Sequence, residues 1–207
     1  MIIALKMIAT AIAGYLLGSI NSAVIFSKTV YRCDIRKQGS GNAGMTNMLR
    51  VFGKKAAALT FIGDFLKGIL AVVLGMLLNG TAGAAVGGAC AIIGHNWPLY
   101  FGFKGGKGVL TAFSVMLVIA PVPTLVVFAI FIMVVALTRY VSLGSIMAAV
   151  CLPIIVFFAG DVLYSERGLG PVFYLSLFVT AMILFRHRSN IVRLIRGTES
   201  KLGAKSK

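Results

Sequence analysis

Long apolar stretches, separated by short clusters of basic and glycine residues, limit what this chain can fold into more than any other feature of its sequence. Hydrophobic residues occupy 59% of its 207 positions. A soluble domain of this size could not keep so much apolar surface away from water. A helix needs ~20 apolar residues to cross a bilayer, and several stretches approach that length. The sequence therefore predicts an all-α, polytopic membrane protein.

Seven apolar segments are candidates for membrane helices. They are Ile2–Phe26, Ala56–Leu78, Thr81–Trp97, Val109–Pro121, Val122–Thr138, Ser145–Gly160 and Pro171–Phe185. Turns are expected at Asn79-Gly80, at Pro121 to Pro123 and in the polar stretch 161–170. We predict seven transmembrane helices within a single domain over residues 1–207, and the first helix is expected to be retained because no signal-peptide cleavage pattern follows it.

Basic residues outnumber acidic residues, with 20 Lys and Arg against 5 Asp and Glu. Most of them lie in the first, third and fifth loops and in a basic tail over residues 186–207. Because cytoplasmic loops of membrane proteins carry the excess of Lys and Arg, this distribution predicts a cytoplasmic C-terminus. Seven spans then place the N-terminus outside.

One acid–base pair, Asp64 and Lys67, lies within the second apolar segment. The spacing puts both side chains on one helix face, where they can neutralise each other. A structural pair that faces the helix bundle is the preferred interpretation, and a proton or ion pathway is the alternative. Cys33, Cys90 and Cys151 are odd in number and widely spaced, which predicts neither a disulfide framework nor a zinc site.

The first loop contains Gly39-Ser40-Gly41-Asn42-Ala43-Gly44-Met45-Thr46-Asn47, followed by Arg50. Glycines let successive backbone N–H groups converge, while the hydroxyl, amide and guanidinium groups supply further donors. A helix that starts near Thr46 would add its free N–H groups at the same place. The strip therefore predicts a site for a phosphate group, and a flexible surface turn is the alternative.

The third loop runs from Gly94-His95 to Lys104-Gly105-Gly106-Lys107-Gly108. It is superficially similar to a nucleotide-binding P-loop, but no strand precedes it, so that assignment is not supported. Two lysines separated by two glycines can still hold one phosphate. A basic cytoplasmic loop with interfacial Trp97, Tyr100 and Phe103 is the alternative, and it does not explain the glycines.

The tail begins with Arg186-His187-Arg188. The flanking arginines favour the neutral form of His187, which can accept a proton. A solvated basic tail explains the same segment equally well. Neither His95 nor His187 has an acid five positions later, so no histidine–carboxylate motif is expected, and catalysis would rest on orientation and electrostatic stabilisation.

Together these loops resemble the bacterial acyl-phosphate:glycerol-3-phosphate acyltransferases over nearly the whole chain. The resemblance rests on ordered blocks: Gly39 to Asn47 with Arg50; Asp64 with Lys67-Gly68; Gly94-His95 and Pro98; Phe103 to Val109; Ser142-Leu143-Gly144; and His187, Asn190-Ile191, Arg193-Leu194, Gly197 and Glu199. The chain departs from the family pattern at Met45 and Leu110, where alanine is common.

This resemblance implies particular substrates and roles. Acyl phosphate would bind at Gly39, Ser40, Gly41, Asn42, Thr46 and Asn47, and glycerol 3-phosphate at Arg50, Lys104, Lys107 and Ser142. The catalytic candidates are His187, Asn190 and Ser40. Ser40 is favoured as a hydrogen-bond donor to the phosphate over a nucleophile, because no base adjoins it. The product would be lysophosphatidic acid, with no metal or cofactor required.

The implied setting is the bacterial cytoplasmic membrane, with the site facing the cytoplasm. The expected partners are the two substrates and membrane lipid, with no nucleic acid, and the protein is expected to be a monomer. A transporter of small organophosphates is the main alternative from another class. It predicts polar groups that continue through the spans and a repeated architecture, and neither is evident in the sequence. A membrane scaffold would not need the glycine–lysine loops.

Overall fold

In a computed structural model, residues 1–163 and 170–203 are described, and all regular elements in these ranges are helical. The α-helices are α1 (Ile2–Ser19), α2 (Ser22–Thr29), α3 (Met45–Phe52), α4 (Lys54–Asn96), α5 (Val109–Ile119), α6 (Pro121–Thr138), α7 (Val141–Leu163), α8 (Pro171–Arg186) and α9 (Arg188–Ile195). Two short 3-10 turns occupy Ile35–Lys37 and Leu99–Phe101. The predicted all-α class is confirmed for this part of the chain.

The first apolar segment does not form the single helix expected over Ile2–Phe26. Helix α1 ends at Ser19, and α2 begins at Ser22. Between them the Asn21 side chain caps α2, because its oxygen accepts a hydrogen bond from the Val24 N–H at 3.0 Å. A polar cap inside the apolar run therefore breaks the helix, and the prediction of one continuous helix is wrong here.

The turn predicted at Asn79-Gly80 is confirmed. Both residues have non-helical backbone angles within the 43-residue range of α4. They divide α4 into two helical halves, 54–78 and 81–96. Helix α1 packs against the second half through small residues, with Gly14 against Gly87 and Gly18 against Ala91. Such contacts allow the close backbone approach that is common between membrane helices.

Within residues 1–163 and 170–203, four helical stretches are long and apolar enough to cross a membrane. They are Ile2–Thr29, Lys54–Phe101, Pro121–Thr138 and Val141–Ala159. Helices α5 and α8 are also apolar but shorter, at 11 and 16 residues. The count of seven spans and the orientation of the termini stay predictions. Most of the turn expected over 161–170 lies outside the described residues.

The chain forms two compact units, Met1–Val115 and Met116–Ala204. In the first unit α4 packs against α1, α2 and α3. In the second unit α7 packs against α6, α8 and α9. The first and third loops therefore belong to the first unit, while the fifth loop and the described part of the tail, residues 186–203, belong to the second.

A buried ionic cluster holds the first unit together. The Lys67 ammonium lies 2.8 Å from Asp64 Oδ1, and it also donates to the Ile20 carbonyl oxygen and to His95 Nδ1, each at 2.8 Å. The side chains of Asp64 and Lys67 are only 1% and 4% exposed. Three contacts match the three donors of an ammonium group. The cluster thereby joins the α1–α2 break to both halves of α4.

The chain has no histidine–carboxylate sequence motif, but the fold brings one histidine close to a carboxylate. His95 Nδ1 lies 3.7 Å from Asp64 Oδ1, although the two residues are far apart in the sequence. A search for an acid five positions after each histidine could not find this pair, because helix packing brings it together. Asp64 Oδ1 also accepts a hydrogen bond from the Ser22 N–H at 3.4 Å. The favoured interpretation of Asp64 and Lys67 as a pair that faces the helix bundle agrees with these contacts.

We expect Asp64→Ala to lower the free energy of unfolding in detergent micelles by about 3–5 kcal/mol, because it leaves the buried Lys67 ammonium without its counter-ion. The double variant Asp64→Ala/Lys67→Met removes the stranded charge and should recover at least half of the loss. Lys55→Ala, at an exposed position on the same helix, is the matched control. A double variant no more stable than Asp64→Ala alone would contradict this account of the cluster.

Candidate functional site

Asn47 organises the first loop from inside. Its side chain is buried, and its Oδ1 accepts a hydrogen bond from the Ser40 N–H at 2.9 Å. Its Nδ2 donates to the carbonyl oxygens of Gln38 at 2.9 Å and of Asn42 at 3.1 Å. Gly39 has a φ of +56°, and a Cβ there would collide with the Asn47 amide. One amide therefore fixes the curvature of the glycine strip.

These contacts change the role expected for Asn47. A direct phosphate contact was predicted, but both ends of the Asn47 amide are engaged within the loop. The remaining strip is more open, because Ser40 and Gly41 are exposed and Thr46 is half-buried. Helix α3 begins at Met45, next to the expected Thr46. Its first N–H groups have no acceptor within the helix and can serve an anion.

The third loop is pinned to the end of α4. The Gly105 and Gly106 N–H groups donate to the carbonyl oxygens of Asn96 and His95, at 3.2 and 3.1 Å. A Cβ at Gly106 would collide with the His95 ring and the Ala43 carbonyl oxygen. Glycine is therefore required where this loop passes the ionic cluster. This third loop, called the lysine loop below, carries an exposed Lys104 and a half-buried Lys107.

Two buried polar side chains lie beside this loop. The Asn96 side chain lies against Gly108, where an added Cβ would collide with its Oδ1, and Thr111 is on the first turn of α5. Their buried side-chain oxygen and nitrogen atoms have no hydrogen-bond partner among the described residues. Buried polar atoms are normally paired, so these donors and acceptors beside the lysine loop can still form hydrogen bonds.

In the second unit, Glu199 gathers three of the residues in the fifth loop and tail. Its Oε1 accepts hydrogen bonds from Ser142 Oγ at 2.7 Å and from Asn190 Nδ2 at 2.6 Å, and its Oε2 pairs with Arg193 Nε at 2.7 Å. Burial raises the pKa of Glu199, but these three donors outweigh it and hold the pKa below the ordinary 4.5. The carboxylate thus ties the start of α7 to α9.

His187 does not belong to a solvated tail, because its side chain is buried. It lies between α8 and α9, and its Nδ1 is 2.8 Å from the carbonyl oxygen of Ile183. Since a carbonyl oxygen can only accept, Nδ1 carries the proton. In the neutral ring Nε2 is then the nitrogen that can take up a proton.

The structure places the predicted residues in two groups. The first unit holds the strip from Gly39 to Asn47, Arg50 on the last turn of α3, and the lysine loop. The second unit holds Ser142, His187 and Asn190. Sequence reasoning gave no role to Glu199, although Glu199 was part of the resemblance. The sequence feature that could have pointed to Glu199 is its position as an acid within a basic tail.

We expect Glu199→Ala to lower the free energy of unfolding by about 1–3 kcal/mol at neutral pH, because Ser142 and Asn190 lose their common acceptor. The folded pKa lies below 4.5, so the contribution of Glu199 is complete above that pH and is lost as the pH falls below it. The difference between wild type and variant should therefore shrink during acid titration of the unfolding free energy. Arg196→Ala, at an exposed neighbour, should change little. A difference that grows below pH 4.5 would contradict the assignment.

Comparison with known proteins identifies a family over almost the entire chain. The family model described as glycerol-3-phosphate acyltransferase matches residues 8–197. A glycerol-3-phosphate acyltransferase from Thermoanaerobacter sp. (strain X514) is 46% identical over 197 residues, which cover 95% of this chain and 96% of the relative. One from Clostridioides difficile (strain 630) is 45% identical over 201 residues, covering 94% and 95%.

The fold is similar to two crystal structures of PlsY, an integral membrane glycerol 3-phosphate acyltransferase. Its glycerol 3-phosphate form matches with a TM-score of 0.87 and 36% identity, covering 95% of this chain and 96% of that one. Its lysophosphatidic acid form matches with a TM-score of 0.84 and 35% identity, covering 95% of each chain. With sequence, family model and fold in agreement, this chain belongs to the glycerol-3-phosphate acyltransferase family.

Proposed function

We propose that this protein transfers an acyl chain from acyl phosphate to the 1-hydroxyl of sn-glycerol 3-phosphate, giving lysophosphatidic acid and phosphate. The observation that carries the proposal is the contact between the donor-rich first loop and the lysine loop, which Arg36 joins through the carbonyl oxygens of Phe101 and Lys104. Two adjacent anion-binding loops suit two substrates that each carry a phosphate. Family membership favours this enzyme over a transporter of organophosphates.

The acyl phosphate is assigned to the first loop. Ser40, the neighbouring glycines Gly39 and Gly41, Asn42 and Thr46 would surround its phosphate, together with the first N–H groups of α3. Asn47 acts from behind by holding the Ser40 N–H and two carbonyl groups. We assign it a positioning role for that reason.

Glycerol 3-phosphate is assigned to Arg50, Lys104 and Lys107 of the first unit, and the part played by Ser142 of the second unit stays a prediction from the resemblance. Cationic side chains suit the phosphate, because charge-assisted hydrogen bonds to an anion are stronger than neutral ones. Ser142 donates its hydroxyl hydrogen to Glu199. Its oxygen can therefore accept a hydrogen bond, which suits a hydroxyl of the glycerol better than the phosphate.

The chemistry needs little activation, since an acyl phosphate is a mixed anhydride with a good leaving group. The 1-hydroxyl oxygen of glycerol 3-phosphate forms a bond to the acyl carbon, and the bond from that carbon to the phosphate oxygen breaks. The electron pair leaves with the phosphate. The hydroxyl proton passes to His187 Nε2 or to the departing phosphate, and no metal, cofactor or acyl-enzyme is required.

Asn190 and Ser40 are the other two catalytic candidates, one in each unit. Asn190 gives its amide hydrogen to Glu199, which turns its amide oxygen into the acceptor side that can orient a hydroxyl. The Ser40 hydroxyl would donate a hydrogen bond to the phosphate of the acyl phosphate. As a nucleophile it would need an adjacent base, and its chain neighbours Gly39 and Gly41 supply none.

The proposed setting is the bacterial cytoplasmic membrane, with the loops facing the cytoplasm. The N-terminus would lie outside and the C-terminus inside after seven spans, and the chain would act as a monomeric single domain. The excess of basic loops supports this orientation. The acyl tail would lie among the apolar helices and the phosphates at the basic surface.

The deciding experiment offers the purified protein palmitoyl phosphate, palmitoyl coenzyme A and palmitoyl acyl carrier protein in parallel, each with glycerol 3-phosphate. Mass spectrometry would then measure lysophosphatidic acid. Of the three donors, we expect only palmitoyl phosphate to give product, because the proposed phosphate site in the first loop suits the leaving group of an acyl phosphate. Glycerol as acceptor should give no product, since it lacks the charge that the lysines hold.

His187→Ala is the matched inactive variant in that assay. It should keep the wild-type melting temperature to within a few degrees and lose turnover, because the truncation removes the proposed orienting or accepting nitrogen. Product from either thioester without palmitoyl phosphate would refute the proposed donor. Full turnover by a well-folded His187→Ala protein would leave the departing phosphate as the proton acceptor.

A further inference from the structure

A short strut made of Asp34 and Arg36 precedes the glycine strip. Asp34 caps the 3-10 turn Ile35–Lys37, where its Oδ1 accepts a hydrogen bond from the Arg36 N–H at 3.0 Å. The two side chains also form a two-pronged ion pair, with Arg36 Nε 2.9 Å from Oδ1 and Nη2 2.7 Å from Oδ2. Such paired contacts fix the plane of a guanidinium group.

The third nitrogen of the same guanidinium reaches the other loop. Arg36 Nη1 donates to the carbonyl oxygens of Phe101 at 2.6 Å and of Lys104 at 3.2 Å. These carbonyls flank the residues that lead into Lys104-Gly105-Gly106-Lys107. One side chain of the first loop thus holds the backbone from which the lysines of the third loop extend. A lysine could not replace it, because an ammonium group lacks the planar fork.

Asp34 neutralises Arg36, so the strut adds little net charge. The hydrogen bond from the Arg36 side chain lowers the pKa of Asp34 to about 2 in spite of burial, and Lys28 contributes from 3.6 Å. A depressed carboxyl pKa means that the pair is intact at neutral pH and is lost only as the pH falls from about 4 toward 2. The action of Arg36 on the third loop is therefore geometric.

The first loop has a framework of its own. Asn47 holds the strip from within, and the Ala43 carbonyl oxygen accepts a hydrogen bond from Asn21 Nδ2 at 3.4 Å. The head of the third loop instead depends on Arg36 for its Phe101 and Lys104 carbonyls. Loss of Arg36 should thus loosen the stretch from Phe101 to Lys104, while Gly105 and Gly106 stay bonded to the end of α4 and most of the first loop stays in place.

We propose that Arg36 is a positioning residue that sets the lysine loop in register with the first loop, so that glycerol 3-phosphate binds at the correct distance from the acyl phosphate. This inference rests on the proposed function, because it assigns the lysine loop to glycerol 3-phosphate. Arg36 acts through the backbone of Lys104 and touches neither substrate.

The test compares Arg36→Lys with wild type and with Lys37→Ala, which removes the exposed neighbouring cation. We expect Arg36→Lys to raise KM for glycerol 3-phosphate about 10-fold, because Lys104 loses the backbone contact that holds its ammonium group in place for a charge-assisted hydrogen bond to the phosphate. KM for palmitoyl phosphate and the melting temperature should change much less. Lys37→Ala should retain the wild-type KM for both substrates.

Arg36→Ala provides a second measurement, since added methylguanidinium can occupy the space of the missing side chain. It should lower the raised KM for glycerol 3-phosphate in this variant and leave Lys37→Ala unchanged. If Arg36→Ala does not fold, Arg36→Lys decides alone, because it keeps the charge and the aliphatic stem. Wild-type KM values in Arg36→Lys, an equal rise in both KM values, or a loss confined to kcat would overturn the proposal.

Different results would refute the proposed function and the role of Arg36. A wild-type protein that gives no lysophosphatidic acid from palmitoyl phosphate would refute the function, whatever the variants do. An active wild type with an unaffected Arg36→Lys variant would refute only the strut. Thermal stabilisation by glycerol 3-phosphate, measured without the acyl donor, follows binding separately from turnover and should be weaker in Arg36→Lys than in wild type.

Discussion

The contact between one buried ammonium and three acceptors is the constraint on which the first unit depends. Lys67 reaches Asp64, the Ile20 carbonyl and His95, and each of these belongs to a different stretch of chain. An unpaired charge within a membrane segment is costly, so the three stretches must meet for the fold to be stable. His95 in turn receives the third loop at Gly106. The cluster thus fixes the place where the lysine loop begins.

Two carboxylates, Asp34 and Glu199, serve as frameworks for cations and amides. Asp34 orients Arg36, and Glu199 orients Asn190 and Arg193. In both places an acid fixes the donors around it, while Lys104 lies exposed. This division fits an enzyme whose substrates bring their own negative charge and whose donor is already activated.

Structure that depends on neighbouring residues could be predicted from the sequence, whereas contacts between distant segments could not. The Asn79-Gly80 turn and the start of α3 beside Thr46 follow from neighbouring residues. The Asp64–Lys67 pair follows from helical spacing. In the sequence Asn21 is a single polar residue within an apolar run. Its capping role becomes visible only once the helix is seen to break between Ser19 and Ser22. The approach of His95 to Asp64 and the internal role of Asn47 depend on packing that no local pattern encodes.

The central claim is that both phosphate-bearing substrates are held at once and react directly. Initial velocities measured over a grid of palmitoyl phosphate and glycerol 3-phosphate concentrations test it most directly. Direct transfer between two bound substrates predicts double-reciprocal lines that intersect, because a ternary complex forms before any product leaves. Parallel lines, with phosphate released before glycerol 3-phosphate binds, would reveal an acyl-enzyme and contradict the claim.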